Sequence, residues 1–268
     1  MMRRVKALKA AAITAVLGAV LAGCGSPSSG GGNAGGSAAA SSDGDRTLTV
    51  YAAASLADTF DQLGKDFEEA HPGTTVALNY GGSSGLAQQL IEGAPADVFA
   101  SADQKNMTRL TDAQLNDGEP TIFATNTLTI VVPTDNPADI TSFDDLHKDG
   151  VKLVTCAPEV PCGSATQTVE KANGVTLEPV SEEGSVSDVL GKVTSGQAEA
   201  GIVYVTDAKS AGDKIQTVDL PKADQAVNKY PIVTLKDSKN AELAAEFEKF
   251  VTGPQGEEAL QKAGFGAP

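Results

Sequence analysis

Short strand-like runs alternate along most of this chain with amphipathic helix patterns. The strand-like runs lie near residues 47–52, 75–80, 97–101, 128–132, 152–155, 200–205, 215–219 and 230–235. Leu56, Phe60, Leu63 and Phe67 keep the spacing of one helix face, and His71-Pro-Gly ends that helix. Alternation of this kind predicts an α/β fold with mixed, mainly parallel sheets and helices on both faces.

The first 45 residues carry export signals rather than a folded unit. Basic residues at positions 3, 4, 6 and 9 precede an apolar run of about 13 residues, which is too short to span a bilayer and typical of a signal peptide. The run ends in Leu21-Ala-Gly-Cys24, which resembles the bacterial lipobox. That resemblance implies cleavage of residues 1–23 and lipidation of Cys24; the alternative is an ordinary secretory signal with an incidental cysteine. Residues 24–45 are mostly Gly, Ser and Ala and predict a flexible tether.

The charge balance excludes some classes of partner. Removing four of the 20 basic residues against 35 acidic ones takes the net charge from −15 to about −19. Such a surface disfavours nucleic acid and anionic membrane surfaces. The lipid, and not a basic patch, is therefore expected to hold the protein at the outer face of the cytoplasmic membrane.

About 220 residues follow the tether, enough for one large domain or two lobes. Two apolar strands, Thr127–Pro133 and Tyr230–Leu235, are suited to the crossings between two lobes. We therefore expect a first lobe of residues 46–127 plus 228–268 and a second lobe, inserted into it, of residues 128–227.

Two cysteines, Cys156 and Cys162, lie close together in the chain. In an exported protein such a pair predicts a disulfide. Two thiols are too few for a closed zinc site and neither histidine lies near them in sequence, so we expect no bound metal cation.

Two serines stand where a strand should pass into a helix. Ser55 follows a strand and three alanines, and Ser83 follows a strand and two glycines. A helix N-terminus offers unpaired backbone N–H groups and the positive end of the helix dipole, which together bind small anions. The alternative for Ser55 is a plain helix cap, with Asp58 as the acidic residue of a capping box.

Gly81-Gly-Ser83-Ser-Gly85 also matches the G-x-S-x-G nucleophile elbow of serine hydrolases. A hydrolase that uses Ser83 needs a histidine base, and the chain has only His71 and His147. Neither lies in the late loop that the hydrolase order requires. The glycines are more simply explained as space for an anion against the backbone, so we expect no catalytic residues.

Three further junctions could supply donors. Cys162 precedes the predicted helix 164–172 and Val186 begins another, so each offers a backbone N–H at a helix start. Tyr204 ends a strand and carries a phenolic donor. The alternatives are ordinary strand-to-helix loops and a core tyrosine whose hydroxyl reaches the surface.

Several phrases together closely resemble the molybdate-binding proteins of molybdate ABC importers. The resemblance runs from about Leu48 to Phe265. The phrases are Tyr51-Ala-Ala-Ala-Ser-Leu56, Gly81-Gly-Ser-Ser-Gly-Leu86, Gly93-Ala-Pro-Ala-Asp-Val-Phe-Ala-Ser-Ala-Asp-Gln104, Val160-Pro-Cys-Gly163 and Gly201-Ile-Val-Tyr-Val-Thr-Asp-Ala208.

The resemblance implies a two-lobed periplasmic-binding fold of type II, with molybdate or tungstate in the cleft. By position, Ser55 and Ser83 would donate through hydroxyls and backbone N–H groups, Cys162 and Val186 through backbone N–H groups, and Tyr204 through its hydroxyl. It further implies no cofactor, no catalysis, a monomer, and the membrane permease of an ABC importer as partner. The sequence leaves open a receptor for sulfate or another oxyanion and, from another class, an exported serine hydrolase using Ser83.

Overall fold

The computed structural model describes residues 46–268, which form two mixed sheets covered by helices. The strands are β1 (Arg46–Ala53), β2 (Thr74–Gly81), β3 (Val98–Ala100), β4 (Asn116–Asn126), β5 (Leu128–Pro133), β6 (Leu153–Cys156), β7 (Ser181–Glu183), β8 (Ala200–Tyr204), β9 (Ile215–Val218) and β10 (Asn228–Leu235). The α-helices are α1 (Ala57–Ala70), α2 (Ser83–Ile91), α3 (Gln104–Asp112), α4 (Pro161–Asn173), α5 (Val186–Thr194), α6 (Val205–Ala211), α7 (Ala241–Val251) and α8 (Pro254–Ala263).

Each sheet builds one lobe. The first has strand order β2-β1-β3-β10-β4 and the second β7-β6-β8-β5-β9. In both, three neighbouring strands run parallel, while the pairings of β10 and of β5 are antiparallel. The predicted two-lobed α/β fold with mixed sheets is confirmed.

The chain passes between the sheets twice. It leaves the first sheet at Asn126, the last residue of β4, and enters the second at Leu128, the first residue of β5. It returns between Val218 and Asn228, the first residue of β10. The domain boundaries given above, 46–127 plus 228–268 and 128–227, remain a prediction.

The two lobes have differently built cores. Aromatic rings fill the first, where Phe247 packs edge-on against Phe60 and Phe67 at centroid distances of 6.2 and 5.2 Å. Small aliphatic side chains, among them Val131, Val189 and Ile202, fill most of the second. Both cores are buried and closely packed. Close packing keeps the strands of each sheet, and therefore their ends at the cavity, in fixed positions.

The signal peptide 1–23, Cys24 and the tether 24–45 lie outside the described residues. Within residues 46–268, every helix is too short or too polar to cross a bilayer.

Candidate functional site

The five residues singled out from the sequence lie around one small cavity between the lobes. The cavity offers about 10 Å³ to the centre of a water-sized sphere, close to the minimum for one water molecule. The cavity is therefore too small for an organic solute. Its lining consists of Ala53, Ala54, Ser55, Gly81, Gly82, Ser83, Ala102, Val160, Pro161, Cys162, Val186 and Tyr204.

Ser83 is the first residue of α2 and is 1% exposed. Its Oγ accepts a hydrogen bond of 2.9 Å from the backbone N–H of Ala102. Because a backbone N–H can only donate, the serine's own proton is left for another acceptor. The free N–H groups of the first turn of α2 lie at the same place.

Ser55 lies elsewhere in its helix than predicted. It is inside a 3-10 turn, Ala54–Leu56, and α1 begins only at Ala57, so Ser55 does not open the helix and its side chain does not cap it. Its Oγ instead lies 2.9 Å from the Oη of Tyr230, which is 175 residues away in the chain. The predicted helix start at Ser55 is therefore wrong, and the alternative, a helix cap with Asp58, is not present either. Ser55 still lines the cavity.

Two helix starts of the second lobe face the cavity with their backbones. α4 begins with Pro161 at its first position, so Cys162 carries the first N–H of that helix. Val186 begins α5 after Ser185, whose Oγ accepts from the N–H of Asp188 at 3.3 Å. Cys162 and Val186 are 2% and 3% exposed, so an N–H there that lacks an acceptor is costly.

The predicted disulfide is present, between Cys156 at the end of β6 and Cys162 at the start of α4. It ties the start of α4 to the end of β6, a strand inside the second sheet. Gly163 adds to this close packing, because a Cβ there would overlap the carbonyl oxygen of Ala157. The loop that presents the Cys162 N–H is thus held at both ends.

Tyr204, the last residue of β8, has a buried hydroxyl that makes no hydrogen bond of regular geometry among the described residues. The Tyr230 hydroxyl is near enough to interact with it electrostatically. Its ring packs edge-on against Tyr230 at 6.0 Å, and its N–H donates to Asp207 Oδ2 at 3.0 Å. Burial, and then the nearby Tyr230, raise the pKa of Tyr204 well above its ordinary value. The phenol therefore keeps its proton and is an available donor.

The lobes are closed over the cavity. A Cβ on Gly82, in the first lobe, would overlap the carbonyl oxygen of Gly184 in the second. Asn126 Nδ2 donates to Thr206 Oγ1 across the interface at 2.7 Å. The backbones at Gly82 and Gly184 can approach this closely only because position 82 carries no side chain.

The cavity lining carries no formal charge. Its polar groups are hydroxyls and helix N-termini, which place donors around the cavity and carry partial positive charge. Nearby, burial raises the pKa of Asp207 to about 7, and the charge of Asp58 adds to the effect. A protein with this many acidic residues can still offer a site for an anion, because local dipoles set the potential there.

Neither histidine lines the cavity. His71 stacks on Phe67 and its Nδ1 lies 2.9 Å from the carbonyl oxygen of that residue. His147 packs edge-on against Phe143. The hydrogen bond that Ser83 Oγ makes is to a backbone N–H rather than to an imidazole, so the arrangement needed for a nucleophilic serine is missing from these residues.

Sequence reasoning missed the residues behind the cavity. In the sequence, Tyr230 carries only a strand signal, and no motif marks Asn126 or the N–H of Ala102. Their contacts with Ser55, Ser83 and one another span 19 to 175 positions, so no local pattern could have revealed them.

Comparisons with known proteins agree on one family. The family model "Bacterial extracellular solute-binding protein" matches residues 48–266. The molybdate-binding protein ModA of Mycobacterium tuberculosis H37Rv is 46% identical, covering 96% of each chain, and that of Escherichia coli K12 is 31% identical, covering 81% of this chain and 88% of the relative. The solved periplasmic molybdate-binding protein of Azotobacter vinelandii superposes with a TM-score of 0.73 at 24% identity, over 82% of this chain and 99% of that one.

Proposed function

This chain belongs to the bacterial extracellular solute-binding proteins, and from that premise we propose that it captures molybdate between its lobes and delivers it to an ABC importer. The relatives named above support the choice of ligand. The observation that carries the proposal within this molecule is the buried hydroxyl of Tyr204, which lines a small uncharged cavity and makes no hydrogen bond of regular geometry among the described residues. Leaving such a group unpaired is costly, and an oxyanion oxygen would satisfy it.

Five of the lining residues would each give the anion a hydrogen bond. Ser55 and Ser83 would donate through their hydroxyls from the first lobe. Cys162 and Val186 would donate through backbone N–H groups and Tyr204 through its hydroxyl from the second. Hydrogen bonds to an ionised acceptor are about twice as strong as neutral ones, so neutral donors suffice to replace the water around a dianion.

Discrimination among oxyanions would come from size and protonation. A cavity lined by donors disfavours hydrogen phosphate, because the O–H of that ion would lack an acceptor. Sulfate is smaller than molybdate and would leave some donors out of reach. Tungstate has nearly the size and charge of molybdate, so we expect it to bind as well.

The proposal includes the cellular setting. Lipidation at Cys24 after cleavage of residues 1–23 would anchor a monomer to the outer face of the cytoplasmic membrane, with the tether 24–45 giving it reach to its permease. Acylation in cells tests this part: labelled fatty acid should enter the wild type and not a Cys24→Ala variant. Labelling of both would contradict the lipobox assignment.

Titration calorimetry tests the ligand. The chain lacking residues 1–23, with Cys24→Ser to keep it soluble, is titrated with molybdate, tungstate, sulfate and phosphate at one pH and ionic strength. We expect tight binding of the first two and at least about 100-fold weaker binding of the others, a difference of about 2.7 kcal/mol. Tighter binding of sulfate would favour the alternative oxyanion receptor, and absence of binding by all four would end the proposal.

Specific labelling tests the hydrolase alternative. An activated-serine probe should label Ser83 no more in the folded protein than in a denatured control. Labelling confined to the folded protein, and abolished by Ser83→Ala, would instead support a nucleophilic serine.

A further inference from the structure

Tyr230 lies directly behind the cavity without lining it. It is fully buried in β10 of the first lobe. Its Oη lies 2.9 Å from Ser55 Oγ and 3.5 Å from Asn126 Nδ2, and its ring packs against that of Tyr204 in the second lobe. The Tyr230 side chain thus contacts one candidate anion-binding residue of each lobe, Ser55 in the first and Tyr204 in the second.

The orientation of the Asn126 amide favours one direction for these hydrogen bonds. Its Oδ1 accepts from the N–H of Thr127 at 3.0 Å, which leaves its amide nitrogen to donate to Thr206 and to Tyr230. Burial raises the pKa of Tyr230 above its ordinary value, so the phenol keeps its proton. At 2.9 Å either hydroxyl of the Ser55–Tyr230 pair can donate. Because the Asn126 N–H approaches the Tyr230 oxygen, we assign the Tyr230 proton to Ser55 Oγ.

Ser55 then has the same hydrogen-bonding state as Ser83. Each serine oxygen accepts from a fixed donor, Tyr230 in one case and the Ala102 N–H in the other. Each serine proton is free to point into the cavity. Accepting a hydrogen bond also polarises a hydroxyl and makes it a stronger donor and a weaker acceptor.

We propose that Tyr230 is a positioning residue of the anion site and that, held by Asn126, it makes Ser55 a dedicated donor that selects a fully deprotonated oxyanion. The inference rests on the proposed function. It adds a determinant of specificity that lies outside the lining of the cavity and is contributed by a residue without contact to the ligand.

A double-mutant cycle with Ser55→Ala and Tyr230→Phe tests the inference. Molybdate affinity is measured for the wild type, both single variants and the double variant. Tyr230→Phe should weaken binding about three- to tenfold, since one hydrogen bond to the donor is lost. In the Ser55→Ala background the same change should have almost no further effect, because its target is already absent. Tyr80→Phe is the matched control: its hydroxyl bonds to Ala57 and Asp61 instead, and affinity should not change.

Selectivity supplies a readout that a purely structural role would not move. Competition by phosphate against molybdate at pH 8 should become at least about threefold more effective, relative to molybdate, in Tyr230→Phe, because Ser55 can then accept from the O–H of hydrogen phosphate. If circular dichroism shows that Tyr230→Phe does not fold, Asn126→Ala takes its place in the same cycle.

The outcomes separate the two proposals. A wild type that fails to bind molybdate overturns the proposed function. A wild type that binds, with effects of Ser55→Ala and Tyr230→Phe that simply add, or with unchanged selectivity in Tyr230→Phe, overturns the role of Tyr230 alone.

Discussion

The two lobes supply the cavity with different kinds of hydrogen-bond donor. The first lobe presents side-chain hydroxyls, Ser55 and Ser83, and each forms a hydrogen bond with a group of the same lobe behind the cavity. The second presents the backbone at Cys162 and Val186 and the phenol of Tyr204. A hydroxyl can be removed by one substitution, whereas a backbone N–H persists in every variant except proline. The first-lobe donors can thus be removed one at a time by substitution. The backbone donors of the second lobe can be tested mainly by changing lobe closure or loop geometry.

The largest effect should come from blocking closure, which separates the halves. Gly82→Val places a side chain against the carbonyl oxygen of Gly184, so the closed form becomes inaccessible while the open form is unaffected. Molybdate affinity should fall at least about 100-fold, since binding favours the closed state. Small-angle scattering should show no compaction on adding molybdate.

Gly85→Ala is the control for this variant, because a Cβ there meets no atom within 4 Å. It should bind and compact as the wild type does. Normal affinity in Gly82→Val would mean that one lobe alone holds the ligand.

Loss of a first-lobe hydroxyl should be next in size. Ser83→Ala removes a donor to a charged group and leaves the Ala102 N–H without an acceptor. We expect molybdate affinity to fall about 10- to 150-fold, equivalent to about 1.5–3 kcal/mol. Ser84→Ala, one residue on and outside the cavity lining, should leave affinity unchanged. Equal affinities of the two variants would remove Ser83 from the site.

Removing the Tyr204 hydroxyl of the second lobe should affect the melting temperature differently from removing the Ser83 hydroxyl. Tyr204→Phe should weaken binding within the same range, but its unliganded melting temperature should stay level or rise, because it removes a buried polar atom that makes no hydrogen bond of regular geometry. Ser83→Ala, by contrast, breaks an existing hydrogen bond and should lower the melting temperature. Scanning calorimetry on both unliganded variants measures the contrast, and equal losses of stability would contradict it.

Asp207, which holds the Tyr204 N–H, should make stability depend on pH. Its pKa is raised to about 7 from 3.8. Between those values the folded protein keeps a proton that the unfolded chain has lost, so the free energy of unfolding falls as the pH rises. Asp207→Asn retains an acceptor for Tyr204 and cannot ionise. Its melting temperature should therefore decline less between pH 4 and 7 than that of the wild type, and parallel curves would show that Asp207 does not titrate in this way.

The smallest effect on affinity should come from the disulfide. Replacing both Cys156 and Cys162 with alanine keeps the N–H at position 162, so molybdate affinity should change less than about threefold. The melting temperature should drop, because the chain-entropy model gives about 2.4 kcal/mol for so short a loop. A stable double variant that had lost binding would indicate a direct role for sulfur.

Local sequence patterns located the strand-to-helix junctions well, because a strand end followed by small residues and a helix start is a local event. Ser83, Val186 and Tyr204 all lie at such junctions. The helix start predicted at Ser55 is wrong because the chain inserts a 3-10 turn before α1. The Ser55 hydroxyl contacts Tyr230, a residue far along the chain, which no local pattern reveals. β4 was missed since Gly118, Glu119 and Pro120 resemble a turn; pairing with β10, with register shifts, keeps that segment extended.

The uncharged lining of the cavity has a consequence for unloading. With no ion pair to break, the proposed anion would be held only by short-range hydrogen bonds from the two lobes, and these weaken steeply with distance and misalignment. A small separation of the lobes would cut all the contacts of one side together and admit water to the rest. Residence time would then be set by the lifetime of the closed state rather than by the strength of any single contact, so a transporter that pulls the lobes apart would receive its cargo in one step.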